Sequence, residues 1–276
     1  MADTGARIFA RIAELQEAGK NMALATVVRT SGSVPRHEGT RMVIFPDGQI
    51  EGTVGGGDLE SRVIQAALEI LDGSASKTLH YEFRDIEQGD VGVCGGEMEV
   101  FVEAVRPSPT VIVVGGGHVG SSVAHLANWL GFHVVVTDDR PDFVNPEAVP
   151  DADEHILTPL AELPDKINIT SETYIMLTTR GIPIDVDGLP PLLDSEAGFI
   201  GVIGSKRRWD TSAKQLAEQG VSQEKIDRVV SPMGLELNAE TPEEIAVSML
   251  AEIIMLRRGG SGEHMAHDAN VPKAKG

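Results

Sequence analysis

In the second half of the chain, short apolar runs alternate with amphipathic segments. The runs Thr110–Val114, Phe132–Thr137, Tyr174–Thr178 and Phe199–Ile203 are predicted to be strands, and each is apolar enough to be buried on both faces. Residues His118–Leu130, between the first two runs, have helical spacing. Such alternation is typical of a parallel sheet with helices on both faces, so the pattern predicts an α/β domain.

The first half of the chain has more strands and fewer helices. Its pattern predicts an N-terminal helix through Ile8, Ile12 and Leu15 that stops at Gly19, and a second helix whose apolar face carries Leu59, Val63, Ala67 and Leu71. The predicted strands are Met22–Val28, Arg41–Phe45, Leu79–Phe83 and Met98–Val105. The linker Arg106-Pro107-Ser108-Pro109 separates the two patterns. The sequence therefore predicts a smaller α+β domain over residues 1–106, the α/β domain over 110–258, and a disordered polar tail over 259–276.

A glycine turn joins the first strand of the α/β domain to its helix. Gly115, Gly117 and Gly120 stand at G-x-G-x-x-G spacing, after a strand and before a helix, which is the context that gives this motif meaning. The first glycine allows a tight turn, the second lets a phosphate approach the backbone, and the third lets the helix pack on the strand. With His118 and Val119 in the helix's first turn, the sequence predicts a Rossmann-like site for a pyrophosphate-containing ligand.

An acidic pair follows the second strand of this domain. Asp138, with Asp139 as the alternative, stands where a carboxylate commonly binds the ribose hydroxyls of a dinucleotide. A carboxylate there disfavours a 2′-phosphate, so NAD is expected rather than NADP. Arg140 is expected to pair with Asp138 or Asp142 rather than to contact a ligand.

Basic residues follow two later strands. A helix beginning at Ser205 would bring backbone donors, Lys206 and Arg207 to the carboxyl edge of the sheet. Arg180 also lies just past a strand, so these residues are expected to converge on one crevice.

The first domain has two further candidate sites. Gly55, Gly56 and Gly57 lie between a strand and a helix and could present amides to an anion, or Asp58 could cap that helix and satisfy them itself. Cys94, flanked by glycines, is either a small buried apolar residue or an accessible thiolate. The residues leave both alternatives open.

The composition limits which binding partners and which cellular compartment are expected for this protein. The formal net charge of −19 argues against nucleic acid and against an anionic membrane surface. A single cysteine fits a reducing compartment, and the N-terminus has no signal-peptide pattern, so a cytoplasmic protein is expected. We predict no metal site and no set of catalytic residues.

Several short motifs together resemble the XdhC/CoxI family, the accessory proteins of xanthine dehydrogenase and related molybdenum hydroxylases. The resemblance runs from about residue 10 to residue 256. The matching segments, in the family's order, are Ala23–Val28, Gly32–Arg36, Gly52–Gly57 with Glu60, Cys94–Gly96, Val114–Gly120, Asp138–Arg140, Thr179–Gly181 with Asp185, Ile200–Arg207, and Gly234–Leu235 through Thr241–Ala246.

The resemblance implies a function that the spacing of residues does not give. It implies a protein that binds molybdenum cofactor, protects it during sulfuration and inserts it into an apo-hydroxylase, with a cysteine desulfurase as a further partner. The family's cofactor is a pterin dithiolene with a terminal phosphate, which suits an anion-binding turn, and Cys94 would be a soft contact for molybdenum or sulfur. A homodimer is expected as a way to enclose so large a cofactor.

The chain departs from the family pattern at two positions. Asp58 stands where family members often carry a second cysteine, and Ile182 stands where many have histidine after Thr-Arg-Gly. Both changes remove a ligand or a proton carrier, which favours a cofactor chaperone over an enzyme. An NAD-dependent oxidoreductase or a nucleotide-sensing regulatory module is the alternative function.

Overall fold

The computed structural model describes residues 4–83 and 95–265, apart from the side chains of residues 4–6 and 17. The chain forms two compact units, residues 1–108 and residues 109–276, each with its own sheet and core.

The first unit contains a five-stranded antiparallel sheet between two helices. The strand order is β3-β2-β1-β5-β4, with the long strand β1 in the centre. Alternate residues of β1 face opposite ways, so Ala23 and Ala25 pack under α2 while Met22 and Leu24 pack under α1. The elements are α1 (Thr4–Glu17), β1 (Met22–Ser31), β2 (Arg41–Ile44), β3 (Ile50–Gly52), α2 (Gly57–Leu71), β4 (Lys77–Glu82) and β5 (Glu97–Val105).

The second unit contains a six-stranded sheet in which every pairing is parallel. Its strand order is β8-β7-β6-β9-β10-β11, the doubly wound order of dinucleotide-binding folds. The elements are β6 (Thr110–Val114), α3 (His118–Trp129), β7 (His133–Asp138), β8 (Glu154–Leu157), β9 (Thr173–Leu177), α4 (Ile182–Leu193), β10 (Phe199–Val202), α5 (Lys206–Glu218), α6 (Gln223–Ile226), β11 (Val229–Val230) and α7 (Pro242–Arg258).

Helices cover both faces of this parallel sheet. On the central strand β6, Val111 and Val113 belong to the core shared with α3 and α7, whereas Ile112 and Val114 belong to the core shared with α4 and α5. The predicted α/β class, with a Rossmann-like parallel sheet between two helical layers, is confirmed. The strands β3, β8 and β11 and the helix α4 had no sequence prediction.

The strand order determines where a ligand can bind. From β6 the chain builds outward through β7 and β8, then crosses back to place β9 on the other side of β6. The carboxyl ends of β6 and β9 therefore form the topological switch point, where open α/β sheets leave a crevice.

Candidate functional site

A cleft of about 400 Å³ opens at this switch point in the second unit. The residues that line it follow β6, β7, β8 and β9, and one wall is formed by α4. Part of the lining is apolar, including Phe143, Pro159, Leu160 and Ile184, and the rest is polar or charged. A cleft of this size with a mixed lining suits a small ligand that has both apolar and polar parts.

The glycine turn at the floor of the cleft is held by close backbone contacts. Gly115 has a φ of +102°, and a Cβ on Gly120 would lie 1.9 Å from the carbonyl oxygen of Gly115. A Cβ on Gly116 would lie 1.7 Å from the carbonyl oxygen of Phe143. Gly115 and Gly120 therefore have the turn and packing roles expected of them, and Gly116 is a third position where only glycine fits.

Gly117 differs from its neighbours because a Cβ there would meet no atom within 4 Å. It is the N-cap residue of α3, and no side chain caps this helix. The first-turn amides of a helix lack intrahelical acceptors, and they also carry the positive end of the helix dipole. The turn thus offers open space and unmatched donors, which fits a phosphate group.

The Asp138 carboxylate is already fully engaged within the protein. It accepts hydrogen bonds from the backbone N–H of Gly116 (3.2 Å) and of Arg140 (3.0 Å). The guanidinium of Arg140 binds it through Nε and Nη2, both at 2.9 Å, and stacks on Phe143 at 3.8 Å. Arg140 therefore pairs with Asp138, as expected. A ribose could reach Asp138 only by displacing Arg140, and the ribose role of Asp138 stays a prediction.

Asp139 forms the second ion pair of the cleft, which touches the first: Arg180 Nη1 lies 3.9 Å from Asp138 Oδ1, and Arg140 Nε lies 3.8 Å from Asp139 Oδ1. The two carboxylate oxygens of Asp139 accept from Nη1 and Nη2 of Arg180, both at 2.9 Å. This hydrogen bonding to Arg180 is the main reason that the pKa of Asp139 falls to about 2. Asp139 is therefore ionised at neutral pH.

A buried polar cluster of Arg208, Thr179 and Asp185 holds the loop that carries Arg180. Arg208 donates from Nη1 to the carbonyl of Thr179 (3.2 Å) and from Nη2 to its hydroxyl (2.7 Å). Nη2 also binds the fully buried Asp185 (2.6 Å), whose other oxygen accepts from Thr179. Arg208 was not singled out from the sequence. Its place in the Ser-Lys-Arg-Arg run is the only signal that could have found it.

The other predicted residues of this unit do not line the cleft. His118 is exposed, and Val119 is half-buried against the α3 and α7 core. Ser205 is the N-cap of α5 and accepts from the Arg208 amide, while Lys206 and Arg207 are exposed. The cleft therefore brings Arg180 together with Gly115, Gly117, Asp138 and Asp139, but the expected convergence of Ser205, Lys206 and Arg207 on it is not seen.

In the first unit, the triple-glycine loop lacks a side-chain cap and is open at Gly56 and Gly57. At Gly55 a Cβ would lie 3.0 Å from Pro35, and the N–H already donates to the Thr53 hydroxyl at 3.2 Å. Gly55, Gly56 and Gly57 have φ values of +149°, +88° and +65°. Gly56 is the N-cap of α2, without a side-chain hydrogen bond. The capping alternative for Asp58 is therefore wrong: its carboxylate binds Arg62 at 2.8 Å, close to the Tyr81 hydroxyl at 3.4 Å.

Glu60 organises this loop from the first turn of α2, accepting from the Val54 amide (3.2 Å) and from the Thr53 hydroxyl. Cys94 lies outside the described residues. Within the described ranges, no three His, Cys, Asp or Glu side chains are grouped to hold a metal ion. None of the helices in this part of the chain is long and apolar enough to cross a membrane.

Comparison with known families matches both halves of the chain. The XdhC Rossmann domain matches residues 111–253, and the XdhC and CoxI family matches residues 15–82. The chain belongs to the XdhC and CoxI family. The resemblance inferred from the motifs is thereby confirmed, including the order of an XdhC/CoxI domain followed by a Rossmann domain.

Three curated proteins are similar in sequence to this chain. The uncharacterized protein YqeB of Escherichia coli K12 is 32% identical over 257 residues, which are 92% of this chain and 47% of that protein. A probable xanthine dehydrogenase component of Bacillus subtilis is 31% identical over 159 residues, 58% of this chain and 46% of its own. The molybdenum cofactor insertion chaperone PaoD of E. coli K12 is 22% identical, over 92% of this chain and 87% of its own.

The chain thus spans about half the length of the first two relatives and most of the third. Among solved structures, a crystal structure of a xanthine dehydrogenase from Bacillus halodurans covers 98% of both chains, with a TM-score of 0.51 and 22% identity. At this identity the likeness concerns the fold alone.

Proposed function

We propose that this protein binds molybdenum cofactor and delivers it to a xanthine dehydrogenase-type hydroxylase. The family membership and the relative named as an insertion chaperone support this role. The observation that carries the proposal is the cleft at the switch point, where the uncapped start of α3 meets an apolar wall.

The cofactor's two ends match the two parts of this cleft. Its terminal phosphate would bind at Gly117, where the backbone is open and the amides of α3 lack a side-chain acceptor. Its flat pterin would lie against the apolar side chains of Phe143, Leu160 and Ile184. The molybdenum supplies the redox chemistry, whereas the protein supplies binding and orientation.

The finer parts of this function are also proposed. Cys94 would contact the molybdenum or its sulfur as a soft thiolate. Gly56 and Gly57 would add a second set of backbone donors, whereas the N–H of Gly55 already donates to Thr53. Sulfuration would occur on the bound cofactor, with a cysteine desulfurase as sulfur donor. We propose a cytoplasmic homodimer that carries its cargo without itself acting as an enzyme.

The main proposal is tested by measuring which cofactor co-purifies with the protein. The protein would be isolated from cells that make molybdenum cofactor, and molybdenum and pterin would be measured per chain by mass spectrometry and fluorescence. We expect both at stoichiometric amounts, together with activation of an apo-hydroxylase on mixing. Cells unable to make the cofactor provide the matched control.

Other bound molecules, or none, would contradict the proposal, and each result would point to a different function. A bound nicotinamide with turnover of a small alcohol or acid would indicate an oxidoreductase, the alternative that the doubly wound strand order favours. Bound nucleotide without turnover would indicate a regulatory module. Molybdenum and pterin at background in both strains would refute cofactor binding.

A further inference from the structure

We propose that the Asp139–Arg180 ion pair is a latch over the glycine turn, and that a phosphorylated ligand opens it by taking Arg180 from Asp139. This inference rests on the proposed function, because it assigns the phosphate of the cargo to this cleft. It makes Arg180 a ligand-binding residue and Asp139 the residue that limits affinity.

The position of the pair is the first argument. Asp139 follows β7 and Arg180 follows β9, two strands that flank β6 on either side. A contact between the two loops therefore spans the carboxyl end of β6, where Gly115 and Gly117 begin the turn. All four residues line the same cleft. A phosphate bound at the start of α3 would therefore lie in the same cleft as this pair.

The contrast with the neighbouring pair is the second argument. The side chain of Asp138 is only 3% exposed and has four hydrogen bonds, so separating it from Arg140 would leave a buried charge unpaired. The side chains of Asp139 and Arg180 are 43% and 47% exposed. Exposed pairs contribute little net free energy, so only this second pair can open readily.

The chemistry of the exchange is the third argument. A guanidinium binds phosphate through two parallel N–H groups in the same way that it binds a carboxylate. Arg180 already presents Nη1 and Nη2 side by side to Asp139 and can present them to a phosphate instead. The Asp139 carboxylate is then left with the longer 3.8 Å contact to Arg140 Nε, and its charge repels the ligand. Asp139 therefore weakens binding both by competing for Arg180 and by repelling the phosphate.

The latch is tested by calorimetric titration with two phosphate probes, inorganic pyrophosphate and neopterin monophosphate. Asp139→Asn is expected to bind both about threefold to tenfold more tightly than the parent protein. Arg180→Gln is expected to bind them about tenfold more weakly. In the Asp139→Asn/Arg180→Gln double variant, most of the gain from Asp139→Asn should disappear, because the freed guanidinium is absent.

Asp187→Asn is the matched control, since Asp187 lines the same cleft but forms no ion pair with any described residue. It removes one negative charge without touching the latch. Equal gains from Asp187→Asn and Asp139→Asn, or a gain that persists in the double variant, would overturn the latch. So would a failure of pyrophosphate to bind any variant.

The two proposals fail separately. If pyrophosphate shows the expected coupling while the protein from cofactor-producing cells contains no pterin, the latch stands and the proposed cargo is wrong. If pterin and molybdenum are bound but Asp139→Asn changes no affinity, the cargo stands and the latch is wrong.

Discussion

Replacing Gly117 with aspartate should stabilise the protein and weaken phosphate binding at the same time. Gly117 has φ −72° and ψ −170°, an extended conformation usual for N-cap residues, and a Cβ there meets nothing within 4 Å. The new side chain can therefore enter without strain. Its carboxylate can accept from the amides of the first turn, which have no side-chain acceptor in the parent protein.

The two effects have different magnitudes. Capping by aspartate in place of glycine, with the helix-dipole interaction, should raise the free energy of unfolding by about 0.5–1 kcal/mol. That corresponds to roughly 1–4 °C in Tm for a domain of this size. A phosphate near 4 Å from the new carboxylate would be repelled by about 4 kcal/mol per charge pair at an effective dielectric constant of 20. Allowing for screening, we expect at least about thirtyfold weaker binding.

Thermal unfolding without ligand and calorimetric titration with neopterin monophosphate measure the two effects separately. Gly117→Asn is the matched control, because it provides a cap of the same shape without the charge and should weaken binding less. Unchanged affinity in a stabilised Gly117→Asp protein would refute the assignment of the phosphate site to the start of α3. A fall in Tm would refute the N-cap geometry.

Three further predictions concern single contacts. Gly116→Ala should destabilise the second unit by about 1–3 kcal/mol in urea unfolding, because its methyl group would overlap the Phe143 carbonyl. Arg208→Met should cost about 3 kcal/mol, since it leaves Asp185 buried and unpaired; adding Asp185→Leu should recover part of this, and no recovery would argue against the pair as the cause. Cys94→Ser should reduce the molybdenum that co-purifies while leaving pyrophosphate affinity unchanged; parental molybdenum content would remove the thiol from the site.

The sequence determined the architecture where a local pattern and its physical cause coincide. The four apolar runs of the second half lie in strands because a strand covered on both faces has to be apolar throughout. The last helix begins with a capping box formed by Thr241 and Glu244, and the Thr-x-x-Glu spacing that produces it is visible in the sequence. The glycine turn was equally predictable, because Gly115 and Gly120 satisfy backbone requirements that other residues do not meet.

Other elements depend on contacts that no local pattern shows. Helix α4 contains Gly188, Pro190 and Pro191, which disfavour a helix, yet it forms in the tertiary structure. Gly188 is required there because Leu160 packs within 2.5 Å of where its Cβ would be. Strand β8 is half exposed at the edge of the sheet and has no apolar run, so its pairing with β7 defines it.

The ion pair between remote loops of the site was decided by the tertiary structure alone. The sequence offered Asp138 or Asp142 as the partner of nearby Arg140, but it did not specify a partner for Arg180. That choice depends on how loops 41 residues apart meet over β6, as Asp139 and Arg180 do. The periodicity of a sequence reflects which residues of one helix or strand are buried. An ion pair such as this one depends instead on the distance between residues that are far apart in the chain. The fold class and the local Arg140–Asp138 pair could therefore be inferred from the chain, whereas the Asp139–Arg180 pair across the cleft could not.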